Sequence, residues 1–217
     1  MLLFLVACTL THGARPLGEG VVAVDVSAGG PITELFGGNI PLPLSGVGVG
    51  YGVNDRLDVH ANVNTTAAAL FGLAAGQVGT TWVALPQEGG RPRVALDGTV
   101  VVAGGDIAED GADGGFRALL QPTVLAAWDL GKADQHTVYA GLGGLVEALP
   151  TPGGYAWVTA GTRLALGSPR WGLTTEAKWL APYASNVPMA PVYTGVAGAG
   201  AVSVQVGVDA RFGGGAR

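Results

Sequence analysis

Charged side chains are scarce in this chain: 12% of its 217 residues are Asp, Glu, Lys or Arg, against about 25% in an ordinary soluble domain. Its 11 Lys and Arg are scattered and the formal net charge is −5. No basic stripe exists to hold nucleic acid, which is excluded as a partner. Cysteine is nearly absent. Cys8 is the only one, so there is no internal disulfide and no cysteine-cluster metal site. After residue 12 there is no run of about 18 apolar residues, which excludes helical membrane spans. No charged or Ser-rich linker divides the chain, whose length suits one domain.

Glycine, with 38 residues, and period-two alternation are abundant. The clearest instance is "VSVQVGVDARF" at 202 to 212, where Val202, Val204, Val206, Val208, Ala210 and Phe212 alternate with Ser203, Gln205, Gly207, Asp209 and Arg211. Similar segments, bounded by Gly, Pro, Asn and Asp, fall at 20–27, 44–53, 56–64, 70–85, 93–104, 116–130, 136–149, 155–167 and 170–181. Helical periodicity is nowhere convincing. Strand four alternates poorly, and a bulge near Gly76 is expected there.

The connections after strands two, four, six and eight are short, whereas those spanning roughly 28–43, 105–115 and 182–199 are long. Short turns at one end and long loops at the other, with an even strand number, are the pattern of a transmembrane barrel. The fold expected is therefore all-β, an antiparallel up-and-down transmembrane β-barrel of about ten strands, with 8 to 12 admissible. Aromatics agree with two interfacial belts: Tyr51, Trp82, Trp128, Trp171 and Phe212 near the short turns, and Phe71, Phe116, Tyr155, Trp157 and Trp179 near the long loops. The competing expectation is a soluble β-sandwich, with the apolar face turned inward.

A barrel of this size is near the eight-stranded limit at which side chains fill the interior. Face assignment puts Asp25, Asp58, His60, Asp97, Arg117, Asp129, Glu147, Arg163, Glu176, Lys178, Asp209 and Arg211 inside. Such mixed charges should pair across the lumen, because unpaired charges in a low dielectric are costly. The expected role is structural, with a charge-paired polar lumen. Small inward residues such as Gly141 and Gly143 leave a narrow pore as the other possibility.

Catalysis finds little support. His60 lies mid-strand among Asp58, Asn62 and Asn64, His136 sits beside a short turn near Asp134, and no G-x-S-x-G pattern occurs. The loop at 104–115 carries Asp106, Glu109, Asp110 and Asp113, but not with EF-hand spacing. No enzyme, cofactor or metal is expected.

In pattern, residues 20 to 212 resemble the small outer-membrane β-barrels of Gram-negative bacteria. That resemblance implies an outer-membrane location, contact with outer-membrane lipid and insertion by the barrel-assembly machinery. The assembly signal would be Gln205, Gly207, Ala210 and Phe212, in the polar, glycine, hydrophobic and terminal aromatic positions. The stretch "LVAC" at 5–8 resembles a lipobox, which implies lipid on Cys8, and Thr9 after it implies sorting to the outer membrane. The organisation expected is a truncated signal peptide at 1–7, a lipidated linker at 8–19, the barrel at 20–212 and a tail at 213–217. In the competing case the chain is a soluble periplasmic lipoprotein acting as a binding module.

Overall fold

The computed structural model describes residues 10, 15–35, 38–42, 44–71, 73–105, 117–131, 136–149, 153–185, 194–197 and 199–213. Its strands are β1 (Val22–Leu35), β2 (Gly38–Pro41), β3 (Leu44–Gly52), β4 (Leu57–Asn64), β5 (Leu73–Leu85), β6 (Arg93–Gly105), β7 (Arg117–Leu130), β8 (His136–Leu149), β9 (Gly153–Ala165), β10 (Trp171–Ser185) and β11 (Ala199–Phe212). A helix, α1 (Thr65–Phe71), joins β4 to β5. Each strand pairs antiparallel with its neighbour, and β1 pairs with β11, so the sheet closes on itself. β2 pairs only with the far part of β1, which leaves a closed barrel of 10 strands rather than a sandwich.

Turn chemistry defines one end. Asn54 Oδ1 accepts the N–H groups of Arg56 and Leu57 at 2.8 and 2.9 Å, closing the turn between β3 and β4. Gly89 and Gly167 take positive φ in the turns after β5 and β9. Val22 and Phe212 are register partners, so both ends of the barrel sequence lie at this turn end.

Three local expectations are corrected. The stretch after residue 27 is not a loop: β1 continues to Leu35 and doubles back as β2. Its "AGGP" reads as a breaker in sequence, yet Gly29 tolerates φ +134 and Pro31 needs only offer its carbonyl, to Leu42. The register runs regularly through Gly76 and shifts instead between Val83 and Leu85. The segment 65–71 is helical, and its Thr65 and Thr66 bind the start of β3: Ser45 N–H donates to Thr66 Oγ1 at 2.8 Å. Seven residues are too few to display a helical period in sequence.

Burial alternates along the strands, and the exposed set is apolar. On β11, Val206, Val208 and Phe212 are exposed while Ser203 and Gln205 are buried. On β4, Val59 and Val63 are exposed while Asp58, His60, Asn62 and Asn64 are buried. This is the reverse of a water-soluble domain: the outer surface suits hydrocarbon, and the lumen holds the polar groups. Tyr51, Trp82, Trp171 and Phe212 face outward near the turn end.

The second aromatic belt differs from expectation. Trp157 is buried at 4% exposure, on the inward face with Tyr155, whose ring centroid lies 6.2 Å away. Tyr183 is outward and exposed in its place. The side chains of Phe71 and Phe116 lie outside the described residues.

The lumen is not polar throughout. Leu44, Val101, Leu119, Leu145, Trp157 and Leu180 are buried inside the loop-end half, where they form an apolar layer above the charged groups. In "RALLQ" and "GLVEAL" both faces carry apolar residues, so alternation gives no contrast from which to assign a direction.

Candidate functional site

The chemistry of the barrel is concentrated inside it, towards the turn end. Arg163 on β9 forks onto Asp209 on β11, with Nε to Oδ1 at 2.8 Å and Nη2 to Oδ2 at 2.7 Å, and Arg211 Nε reaches the same carboxylate at 3.3 Å. Arg93 on β6 is bonded to Asp129 on β7, which also accepts the hydroxyl of Thr137 on β8 at 2.8 Å. Deeper in, Glu176 accepts the Tyr139 hydroxyl at 2.7 Å and lies 3.1 Å from Lys178 Nζ. Near the loops Arg117 reaches Glu147 at 2.9 Å. Each of these carboxylates thereby has a cationic partner, as a low dielectric requires, whereas Asp25 and Asp58, also expected to pair, form no ion pair among the described residues.

Asp97 accepts hydroxyls from Thr81 at 2.7 Å and Thr99 at 2.9 Å. His60 Nε2 lies 3.1 Å from Thr99 Oγ1 and 3.7 Å from Asp97 Oδ2. His60 is 5% exposed and, besides its contact with Thr99, lines a small lumenal cavity of about 100 Å³. His136 instead accepts the backbone N–H of Ala165 across β8 and β9, at 3.3 Å. Among the described residues no group of three or more His, Cys, Asp or Glu could hold a metal ion. The acids at 106, 109, 110 and 113, and Asp134, lie outside the described residues.

All the charged positions assigned inward by sequence lie on the buried or half-buried face. Alternation missed Arg93, Tyr139, Thr81, Thr99 and Thr137. The hydroxyls carry no charge to flag them, and Arg93 opens its strand directly after a turn.

The inward glycines have a plain packing role. A Cβ on Gly143 would meet the Trp157 indole at 2.5 Å; on Gly161 it would strike the Tyr139 phenol, on Gly79 the His60 ring, and on Gly48 the Asp25 carboxylate. Each glycine is the recess that a large side chain from an adjacent strand fills. The recesses at Gly141 and Gly143 are filled in this way by Leu125 and Trp157.

The chain before β1 also enters the lumen. Leu10 is 8% exposed, and its Cδ1 occupies the place where a Cβ of Gly207 would stand. Leu17 lies over Gly50, and its N–H donates to Asp58 Oδ2 at 3.0 Å. Gly20 N–H donates to Gly52 O at 2.9 Å and Gly52 N–H returns to Val21 O at 2.9 Å, which ties the segment to the β3 rim. A cavity of about 100 Å³ remains between segment and wall, lined among others by Arg15, Asp25, Asp58, Arg163, Asp209 and Arg211. Two carboxylate oxygens here, Asp25 Oδ2 and Asp58 Oδ1, are buried without a hydrogen-bond partner. Cys8 lies outside the described residues.

No known family profile matches the chain, and no curated protein does. Among solved structures it is similar to the translocator domain of the autotransporter NalP from Neisseria meningitidis, with 12% identity, 95% of this chain and 92% of that one covered, and TM-score 0.48. It is also similar to the NanC porin (10% identity, 87% and 98% covered, TM-score 0.43) and to the outer membrane protein OprG from Pseudomonas aeruginosa (10% identity, 92% and 99% covered, TM-score 0.34).

Proposed function

We propose that this chain is an outer-membrane β-barrel protein with a structural role and a closed lumen. One observation carries the reading: valine, leucine and aromatic side chains face outward while carboxylates, guanidiniums and hydroxyls face inward. Water outside would leave this apolar belt exposed; a bilayer removes that cost. A barrel, unlike a helical span, reaches the outer membrane as a chain without long apolar runs. Closure rests on the filled glycine recesses, the paired charges and the apolar layer around Leu119, Leu145 and Leu180.

Insertion would use the barrel-assembly machinery, reading β11 through Gln205, Gly207, Ala210 and Phe212. Lipid on Cys8 is a separable part of the proposal. Radiolabelled palmitate in the parent but not in Cys8→Ser is the expected mark of that lipid.

The test is gel mobility of the detergent-extracted outer-membrane fraction, boiled and unboiled, followed by planar-bilayer recording of the purified protein. A heat-dependent shift with no steady open state is the expected result. Release as a soluble protein would overturn the membrane reading, and a steady large conductance would overturn closure.

A further inference from the structure

Not every glycine of the wall is a filled recess. A Cβ on Gly104 would meet nothing within 4 Å, and one on Gly76 would meet only Asn62 O at 3.6 Å and Val63 Cγ1 at 3.8 Å, which is ordinary contact. Both lie on the outward face: Gly76 is the register partner of the exposed Val102, and Gly104 that of the exposed Ala74. No packing among the described residues requires glycine at either place. Glycine weakens a strand, and one that accommodates no neighbour marks a place where something outside the chain comes close to the backbone.

Helix α1 bounds that place. It is pinned at the loop end by Ser45, whose N–H donates to Thr66 Oγ1 at 2.8 Å and whose carbonyl accepts the Thr65 hydroxyl at 3.1 Å. Between α1 and the outer surface of β5 and β6 runs a groove of about 550 Å³, lined by Ala68 of the helix, by Ala74, Gly76 and Gly104, and by the outward Val63 and Val102. No charged side chain lines it among the described residues. Val63 and Val102 also belong to the apolar outer belt, with the exposed Val78 and Val100 beside them, so the groove continues the surface that meets hydrocarbon. Water entering it would find too few polar partners, and left empty its lining would forfeit dispersion contacts. Hydrocarbon meets both conditions.

We propose that this groove seats one acyl chain of a lipid from the loop-end leaflet of the outer membrane, held between α1 and the wall. The inference rests on the outer-membrane reading and goes beyond it. Elsewhere the wall offers a lipid one surface; here a chain touches protein on two sides, gains more contacts and exchanges more slowly. The helix is then one jaw of a lipid site as well as a connection between strands.

Photolabelling tests this with the full chain refolded into dioleoylphosphatidylcholine vesicles that carry a trace of the same lipid with a diazirine in one acyl chain. Adducts located by peptide mass spectrometry should be several-fold denser on residues 63–76 and 102–104 than at Leu120 and Val146, outward register partners on β7 and β8. Gly104→Leu, whose Cβ has open space, should lower groove labelling to the level at Leu120 and leave the heat-modifiable gel form intact. Ala68→Leu should do the same from the helix side, without touching a strand. Even labelling of all these positions, or groove labelling unchanged in both leucine variants, would overturn the seat. So would labelling of Leu120 and Val146 with none in the groove, because the chain itself would then fill it. Absence of adducts over the whole wall would sink the membrane reading and the seat with it, so the two failures are told apart.

Discussion

Asp25 and Asp209 are register partners across the seam where β1 and β11 close the barrel, so two inward carboxylates face each other at the last joint of the sheet. Arg163, from a third strand, forks onto Asp209, and Arg211 adds a second guanidinium. A cation supplied from β9 therefore neutralises the β11 carboxylate of the seam, while Asp25 on β1 has no ion pair among the described residues. Arg163→Met should destabilise the barrel by about 1.5 to 3 kcal/mol, since Asp209 loses its forked partner and keeps only Arg211. Asp209→Leu in the same chain should deepen the loss rather than recover it, because Arg211 then loses its carboxylate. Urea unfolding in micelles, followed by loss of the unboiled gel form, measures both; equal stability of parent and single variant would mean that Asp209 is solvated rather than held.

On β11 the two faces predict opposite responses. Val206 is exposed to hydrocarbon, and Val206→Arg near the midplane should cost about 2 to 4 kcal/mol. Gln205 is 3% exposed with Oε1 unsatisfied. Gln205→Met, which keeps the volume and removes the orphan acceptor, should be neutral or stabilising. The same unfolding assay reads both, and a loss at 205 matching that at 206 would contradict the outward assignment of Val206.

Gly143 and Trp157 make a recess and its filler. Gly143→Ala forces the new Cβ onto the indole and should cost about 1 to 3 kcal/mol by overpacking. Trp157→Leu in that background should relieve it. If Gly143→Ala alone is silent, the indole has free space and the lumen is less full than its burial indicates.

Tryptophan fluorescence separates the inward indole from the outward ones. In single-tryptophan variants, Trp82 and Trp171 should be quenched by brominated lipid, with both rings about half exposed on the outer face, at 49% and 51%. Trp157 should escape both lipid quencher and aqueous acrylamide. Strong lipid quenching of Trp157 would put it back in the girdle that the sequence suggests.

Period two located the barrel strands because one face of each must meet hydrocarbon, and the short turns located its closed end. The charged lumen was legible for the same reason: Asp, Arg and Lys at alternate positions have one tolerable side of the wall. Legibility failed where both faces have the same character. Leu119 and Leu120 are adjacent and equally apolar, yet one is buried in the lumen and the other is exposed outside. Gly46, Gly48, Gly50 and Gly52 give one face of β3 no side chain to read. Their meaning lies in partners far away in sequence, Asp25, Leu17 and Gly18 among them, which no local pattern contains. The place of Leu10 was invisible for a further reason: it follows a run of apolar residues that reads as an export signal, and only the fold sets it against Gly207.

Because Val22 pairs with Phe212, the first and last strands are as firmly neighboured as any others, with register contacts continuing to Pro31 and Ser203. The wall then has a cyclic order and no first member. A short linker across the roughly 5 Å between neighbouring strands, with a cut in the connection between β6 and β7, would rewrite the order of synthesis while leaving every ladder intact. The strand at which the chain begins is a fact about translation and insertion, and the ring itself carries no memory of it.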